Sequence, residues 1–536
     1  MSALTRRHFL AASAATGLGI GLAPLSRAAA DTPRLLEVTT RVLEVNGKAA
    51  KVFALGAAPG VDGKPGFDFV SGDRFKVKLL NRLDQPTLVH WHGLTPPNAA
   101  DGVPDMTQPA LAAGASYDYD FVLSRPGTNF MHSHYGLQEQ QLLAAPLIIR
   151  DPAEAHLDEQ EVVIQLHDFT FREPQEILAE LQKGMAHRMG SHDPAAHTIG
   201  NAQMQNMPME QMQGMNMPGS NNMDGMDMSD GEMGQMPGMS HGGAAPLSDT
   251  MSQAMAQQMA GGPGANGGGM TGMDLNDVSY DAFLANDRTY QDPDVVAVER
   301  GGKVRLRLIN AGSGSNFMID LGALYGDLIA VDGMPVQPVS GRQFALAMGQ
   351  RIDLRLRLPA ESAAWPIVAQ LEGDRRRSAV ILAAKGAAIS KLDFLSAKPT
   401  PRFDQLMGHL VAARDPLPPR PADRRLVLDL TGDMMRYRWG LASGGAALQV
   451  KMGERVEIEM VNRTAMSHPM HLHGHHFQLV AVDGKPVNGP LRDTHLVPAG
   501  GRCTIAFDAD NPGRWAFHCH NLYHMAAGMM AELSYA

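Results

Sequence analysis

Three stretches of this chain share one internal frame, and this repeat limits the possible folds more than any other feature. They begin GDRFKVKLLN, GGKVRLRLIN and GERVEIEMVN. In each, a glycine is followed nine residues later by an asparagine and twelve residues after that by a second glycine. The copies start at Gly72, Gly301 and Gly453. Repetition of one supersecondary unit predicts three homologous domains.

Polar and apolar residues alternate within these repeats, and again in segments such as SYDYDFVL and GRCTIAFDA. Successive side chains of a strand point to opposite faces, so the alternation indicates strands with one buried face. Short turns of Gly, Pro and Asn separate the segments. The sequence therefore predicts an all-β fold built from sandwich domains.

The predicted domains are the first at residues 31–152, the second at 153–400, and a linker with the third at 401–536. Within the second, residues 184–273 interrupt the strand pattern. Seventeen of the 35 methionines lie between Met204 and Met273, among Gly, Asn, Gln and Asp. Such a composition cannot bury a core, so this Met-rich insert is predicted to be disordered.

The first 30 residues have the pattern of a targeting segment. Arg6 and Arg7 precede an apolar run, and small residues end it at residues 28–30. The pattern predicts a twin-arginine signal peptide, export by the twin-arginine machinery, and a periplasmic mature protein without a membrane span. The alternative is a membrane anchor, but the run is rich in Gly and Ala, and a span needs about 20 strongly apolar residues.

The chain has a net charge of −10 and only two cysteines. The acidic balance argues against nucleic acid as a partner. Two cysteines cannot form a disulfide framework. Cys503 lies in a strand pattern and is predicted to be a core residue. Cys519 lies between two histidines in HCHNLYHMAAGMM and is predicted to be a metal ligand.

Four His-X-His pairs indicate a metal centre: His90/His92, His132/His134, His471/His473 and His518/His520. Each places two imidazoles on one face of a strand. Two pairs lie in the first predicted domain and two in the third, whereas the second has Ile319 and Leu321 at the equivalent positions. Eight imidazoles suit several borderline metal ions with open positions, and copper fits best. The second domain is predicted to be a spacer without metal.

Cys519, His524 and His468 form a predicted His₂Cys set with Met529 as a long axial ligand, which is typical of a blue-copper electron-transfer site. The two histidines that flank Cys519 point to the opposite face of the same strand. One strand therefore joins the predicted electron acceptor to a multi-copper centre by a short covalent path.

The motifs HWHG, HSHYG, HPMHLHGHHF and HCHNLYHMAAGMM, in this order, resemble those of the multicopper oxidases, and within them the bacterial copper-resistance and cuprous-oxidase branch. The resemblance covers nearly all of the mature chain except the insert. It implies three cupredoxin-like Greek-key domains and four copper ions: one type 1, one type 2 and two type 3. The implied reaction takes electrons one at a time at type 1 copper and reduces O₂ to water at the trinuclear cluster.

The resemblance also implies the ligands of each copper. The type 2 ion would be held by His90 and His471. The type 3 pair would be held by His92, His132, His134, His473, His518 and His520. The type 1 ion would be held by His468, Cys519, His524 and Met529.

Two positions bear on proton supply. Asp101 in NAADGVPD stands where the family often keeps a carboxylate near the cluster, which implies a catalytic role. The alternative is that Asp101 only caps a turn. Met525 stands where some relatives have a glutamate thought to relay protons, which leaves the exit side of the proton path open.

The sequence constrains the identity of the reducing substrate less than it constrains the copper ligands. Thioether sulfur favours Cu(I), so the Met-rich insert suggests a cuprous oxidase that serves copper tolerance. Asp433, Met434 and Met435 are candidates for a substrate-copper site near type 1. One alternative is a laccase-like oxidase of phenols or other metal ions, with the insert incidental. Another is a copper-sequestering protein without turnover, against which the complete motif set argues, because storage needs no electron path.

Overall fold

The computed structural model describes residues 32–56, 65–183, 275–404, 410–445 and 447–536. The predicted signal peptide and the predicted Met-rich insert lie outside these residues. Strands dominate the described part, which confirms the all-β prediction. None of the helices described there is long and apolar enough to cross a membrane.

The first unit consists of two four-stranded sheets. Its strands are β1 (Arg34–Val45), β2 (Lys48–Gly56), β3 (Phe67–Val70), β4 (Arg74–Asn81), β5 (Val89–His92), β6 (Ser116–Val122), β7 (Gly127–Ser133) and β8 (Ala144–Arg150). Short 3₁₀ helices span Asn98–Ala100, Gln138–Gln141 and Pro152–Glu154. One sheet has the order β2-β1-β4-β6 and the other β3-β8-β7-β5. The apolar faces of both sheets meet in one buried core.

The second unit has a six-stranded and a five-stranded sheet. Its elements are β9 (Gln160–Phe169), helix α1 (Pro174–Lys183), β10 (Ala282–Ala285), β11 (Asp294–Val298), β12 (Lys303–Asn310), β13 (Phe317–Asp320), β14 (Gly326–Val331), β15 (Met334–Gly341), β16 (Gln343–Leu346), β17 (Arg351–Arg357), β18 (Ala364–Leu371) and β19 (Arg377–Ala384). The sheet orders are β10-β9-β12-β17-β14-β15 and β11-β19-β18-β13-β16.

The third unit repeats the two-sheet arrangement. Its elements are β20 (Arg424–Asp433), β21 (Arg438–Ala442), β22 (Leu448–Val450), β23 (Arg455–Asn462), β24 (His468–Leu472), β25 (Phe477–Val482), β26 (Lys485–Pro486), β27 (Leu491–Arg492), β28 (Thr494–Val497), β29 (Arg502–Asp508), β30 (Arg514–Cys519), helix α2 (Leu522–Ala526) and β31 (Met530–Tyr535). One sheet has the order β21-β20-β23-β29-β25-β26, with β27 paired to β25, and the other has the order β22-β31-β30-β24-β28. Cys503 on β29 is a buried core residue, as predicted.

The repeated asparagine has the same structural role in all three units. Asn81, Asn310 and Asn462 end β4, β12 and β23 and are buried. In each, Oδ1 accepts a hydrogen bond from the backbone N–H two residues later, and Nδ2 donates to the backbone carbonyl oxygen four or five residues later, in the loop that follows. A buried amide that satisfies loop backbone groups fixes the crossing to the opposite sheet. In the outer units this crossing leads directly to β5, which carries a histidine pair, and to β24, which ends one residue before the second member of its pair.

Candidate metal centre

Neighbouring strands align the four histidine pairs. On antiparallel β5 and β7, His90 lies opposite His132. On antiparallel β24 and β30, His471 lies opposite His518. Each outer unit thus presents two adjacent pairs, and the structure brings the two sets together between the first and third units.

One group of imidazoles joins His134, His473 and His518. The Nε2 atom of His518 lies 2.9 Å from Nε2 of His473 and 3.4 Å from Nε2 of His134. Two imidazole nitrogens that are each about 2 Å from a shared ion lie about 3 Å apart. This group therefore matches three ligands of one ion.

A second group consists of His92, His132 and His520. Nε2 of His520 lies 3.3 Å from Nδ1 of His92, and the rings of His132 and His520 have centroids 5.1 Å apart. Nε2 of His132 is buried without a hydrogen-bond partner, as expected of an atom that a metal would satisfy.

His90 and His471 form the third part of the cluster, with ring centroids 5.7 Å apart. Nδ1 of each ring hydrogen-bonds to a backbone carbonyl oxygen, that of Asp101 at 2.8 Å and that of Asp493 at 3.0 Å. Nε2 of each ring is buried without a hydrogen-bond partner. Because Nδ1 is engaged in both rings, Nε2 is the free ligand atom.

The environment of five of the cluster imidazoles favours the neutral form, which is the form that binds metal. Burial lowers the pKa of His134, His473 and His518 well below the usual value, and neighbouring imidazoles act in the same direction. Burial likewise lowers the pKa of His92 and His520.

The predicted His₂Cys set is also assembled. Sγ of Cys519 lies 3.7 Å from Nδ1 of His468 and 3.7 Å from Nδ1 of His524, and the two nitrogens are 3.1 Å apart. Burial raises the pKa of the Cys519 thiol, so a thiolate here needs a bound cation to stabilise it. A soft sulfur ligand with two imidazoles fits copper.

Met529 is fully buried, and its backbone forms hydrogen bonds with the backbones of two of these predicted ligands. Its N–H donates to the carbonyl oxygen of His524 at 2.9 Å, and its carbonyl oxygen accepts from the N–H of Cys519 at 3.1 Å. Met530, the next residue along the chain, also has a thioether, but it is only half-buried and lies on β31 opposite His518.

The Nε2 atoms of both imidazoles in this set have partners. Nε2 of His468 lies 2.7 Å from the hydroxyl of Thr464, and Nε2 of His524 lies 2.7 Å from Oδ2 of Asp277. Both rings therefore offer Nδ1 to the metal position. The indole of Trp439 covers His524, with ring centroids 4.0 Å apart.

Asp101 is completely buried beside the cluster. It follows a 3₁₀ turn and donates its backbone N–H to the carbonyl oxygen of Asn98, so it does cap a turn. Its side chain has a different partner, because Oδ2 accepts a hydrogen bond from Nδ1 of His473 at 2.8 Å. Oδ1 has no hydrogen-bond partner.

Two other carboxylates contact the cluster and were missed by sequence reasoning. Oδ1 of Asp493 lies 3.0 Å from Nε2 of His92, and Oε2 of Glu139 lies 3.1 Å from Nδ1 of His132. Burial would raise the pKa of Asp493, but the Arg351 guanidinium holds it well below its usual value. Asp493 is therefore an anion in the folded protein.

The predicted substrate-copper residues lie on the β20–β21 hairpin. Oδ1 of Asp433 accepts hydrogen bonds from the backbone N–H groups of Met435 and Arg436. Met435 is exposed, while Met434 packs against the core. The carboxylate thus shapes the turn. Met525 is partly buried within α2, one residue after His524.

The fold and these donor sets fit a copper-dependent oxidase, with a His₂Cys set close to a cluster of eight histidines. Profiles of the multicopper oxidase family match residues 43–154, 248–389 and 419–536. The chain belongs to the multicopper oxidases, which use O₂ and a reducing substrate, and it is an oxidoreductase acting on oxygen.

Curated relatives span nearly the whole chain. Multicopper oxidase MmcO of Mycobacterium tuberculosis is 28% identical over 87% of this chain and 80% of that protein. Copper resistance protein A of Pseudomonas syringae pv. tomato is 26% identical over 99% of each chain. Laccase-2 of Botryotinia fuckeliana is 25% identical over 86% of this chain and 75% of that protein.

Solved structures share the fold. Fet3p, described as a multicopper oxidase that functions in iron import, superposes with a TM-score of 0.67 at 16% identity, covering 94% of this chain and 90% of its own. The laccase from Botrytis aclada has a TM-score of 0.65 at 20% identity, covering 94% and 88%. These neighbours confirm the cupredoxin-like architecture.

Proposed function

We propose that this chain is a periplasmic cuprous oxidase with four copper ions that serves copper tolerance. The observation that carries the proposal is the pair of metal positions on the two faces of one strand. Cys519 contacts His468 and His524 on one side, while its neighbours His518 and His520 join the cluster on the other. A storage protein needs no such covalent link between two sites.

The proposed ligands follow the contacts. His90 and His471 hold type 2 copper through Nε2. The type 3 pair divides into two sets of three imidazoles, His134/His473/His518 and His92/His132/His520. His468, Cys519, His524 and the axial Met529 hold type 1 copper.

Bound at these positions, copper supplies one-electron oxidation of the substrate and four-electron reduction of O₂ to water. The residues of the chain provide the path for the electrons and a group that holds a proton. The peptide bonds on either side of Cys519 connect its sulfur to two cluster imidazoles. Oδ1 of Asp101, which is buried without a hydrogen-bond partner and lies 3.4 Å from Nδ1 of His90, is the atom proposed to hold a proton beside the cluster. The closed packing around the imidazoles excludes bulk water.

Two features support Cu(I) as the substrate, and a third supports the proposed location. Relatives in Pseudomonas syringae and Escherichia coli are named copper resistance protein A. The Met-rich stretch between Met204 and Met273 offers soft thioether ligands, which favour Cu(I). The twin-arginine signal supports export to the periplasm.

The second candidate is a laccase-like oxidase of phenols, which the named laccase relatives favour. The decisive measurement is O₂ uptake by the copper-loaded protein, with Cu(I) and then a phenol as sole reductant. Preferential turnover of Cu(I), absent in Cys519→Ser, supports the proposal. Faster turnover of the phenol makes it a laccase-like enzyme, and no uptake with either reductant leaves sequestration.

A further inference from the structure

The second unit carries no residue of the four histidine pairs, yet its segment 349–351 forms one wall of the cluster. A Cβ added at Gly349 would lie 2.6 Å from Cδ2 of His520, so the bare glycine allows the backbone to approach that ring. The side chain of Gln350 donates to the carbonyl oxygen of Thr494 at 3.2 Å. The second domain was predicted to be a spacer without metal. It supplies none of the predicted histidine pairs, but the structure shows that it also packs against the cluster.

Arg351 connects all three units from a fully buried position. Its Nη1 and Nη2 donate to Oδ1 and Oδ2 of Asp493, each at 2.6 Å. Its Nε donates to the carbonyl oxygen of Thr128 at 3.1 Å. Thr128 lies on β7, the strand that also carries His132, whereas Asp493 belongs to the third unit. A bidentate guanidinium fixes the plane of a carboxylate, which an ammonium group cannot do.

Asp493, whose carboxylate Arg351 holds, contacts two cluster imidazoles, one through the carboxylate and one through the backbone. Oδ1 of Asp493 lies 3.0 Å from Nε2 of His92, and the backbone carbonyl oxygen of Asp493 lies 3.0 Å from Nδ1 of His471. Because Nε2 of His92 is engaged, Nδ1 faces the cluster, 3.3 Å from Nε2 of His520. Rotation of the Asp493 carboxylate would remove the charged partner of Nε2 of His92 and leave this nitrogen to the hydroxyl of Thr494, 3.2 Å away.

The glycine of the HWHG motif makes room for this arrangement. Gly93 has a φ of +97°, and a Cβ there would overlap Nη2 of Arg351 and Oδ1 of Asn129. The first unit therefore leaves a gap beside His92 that the guanidinium from the second unit fills.

We propose that Arg351 is a positioning residue for the histidine cluster, and that it acts by locking the Asp493 carboxylate against Nε2 of His92. The second unit thereby controls the geometry of ions that it does not ligate. The inference rests on the ligand assignment proposed above for the type 2 and type 3 ions.

The test compares Arg351→Lys with Arg307→Lys in the full-length, copper-loaded protein. Arg307 is a matched control, because it is almost fully buried, pairs with Asp353 at 2.9 Å and contacts Thr128, but that carboxylate hydrogen-bonds to no histidine among the described residues. Three readouts are used: the blue absorption of type 1 copper, the fraction of copper visible by EPR, and copper retention against a chelator.

Arg351→Lys is expected to keep the blue absorption but to lose cluster copper about 10- to 100-fold more readily, with a larger EPR-visible fraction as the magnetically coupled pair is disrupted. Arg307→Lys should retain the wild-type spectra and copper. Wild-type retention and EPR in Arg351→Lys would overturn the proposal, as would equal losses in both variants.

If Arg351→Lys does not fold, the double variant Arg351→Gln/Asp493→Asn removes both charges and leaves neither buried without its partner. Weakened cluster copper in this folded variant supports the proposal, and a wild-type cluster overturns it. Failure of the ligand assignment is recognised separately, because the wild-type protein would then lack EPR-silent copper.

Discussion

Oδ2 of Asp277 lies 2.7 Å from Nε2 of His524, although 247 residues separate the two in sequence. The same oxygen accepts a hydrogen bond from the hydroxyl of Tyr437 at 2.7 Å. Asp277 is among the first described residues after the Met-rich insert. The second unit therefore orients a proposed type 1 ligand as well as the cluster.

Asp277→Asn should preserve the blue colour and raise the type 1 reduction potential. A carboxylate that accepts from Nε2–H makes the imidazole a stronger donor and favours Cu(II). A tenfold decrease in the preference of the site for Cu(II) over Cu(I) raises the reduction potential by about 60 mV. Redox titration measures the change, with Asp281→Asn as the control, because Asp281 accepts from Thr170 and Phe171 instead. An unchanged potential would show that the charge does not tune the site.

Cys519→Ser should abolish the intense blue absorption while most of the cluster copper stays bound. A hydroxyl is a poor ligand for type 1 copper, and the eight cluster histidines are untouched. Absorption spectroscopy with copper analysis measures both effects. Full blue absorption in the variant would place the type 1 site elsewhere.

Met529→Leu should keep the blue site and raise its potential, because loss of the weak axial thioether disfavours Cu(II). Met530→Leu is the matched comparison, since Met530 lies on β31 opposite His518. A potential that shifts only in the Met530 variant would move the axial assignment by one residue.

Deletion of residues 203–272 should leave a folded, blue oxidase, because the segment has almost no residues that can build a core. If its methionines collect Cu(I), kcat/KM for cuprous oxidation at limiting copper should fall. Oxidation of a bulky phenol should hold steady or rise. Equal ratios of the two activities in intact and deleted protein, at matched copper content, would exclude copper capture by the insert.

Strand alternation and the Gly-Asn-Gly frame were sufficient to predict the all-β fold, because both reflect contacts local to one supersecondary unit. The spacing of the histidines likewise predicted that both members of a pair share one face of a strand, whereas the register that sets His90 opposite His132 is seen only in the structure. Asp277, Asp493 and Arg351 left no such signal. Their partners come from other units, so only the packing of the units shows that they meet.

His92 and His520 are 428 residues apart in the chain and 3.3 Å apart between their facing nitrogens. An ion held by both closes most of the polypeptide into a ring, and closing so long a loop removes much of the freedom of the unfolded chain. Because a metal ion binds the folded form preferentially, it stabilises the association of the first unit with the third. We therefore expect bound copper to couple the unfolding of the first and third units, and loss of copper to weaken that coupling.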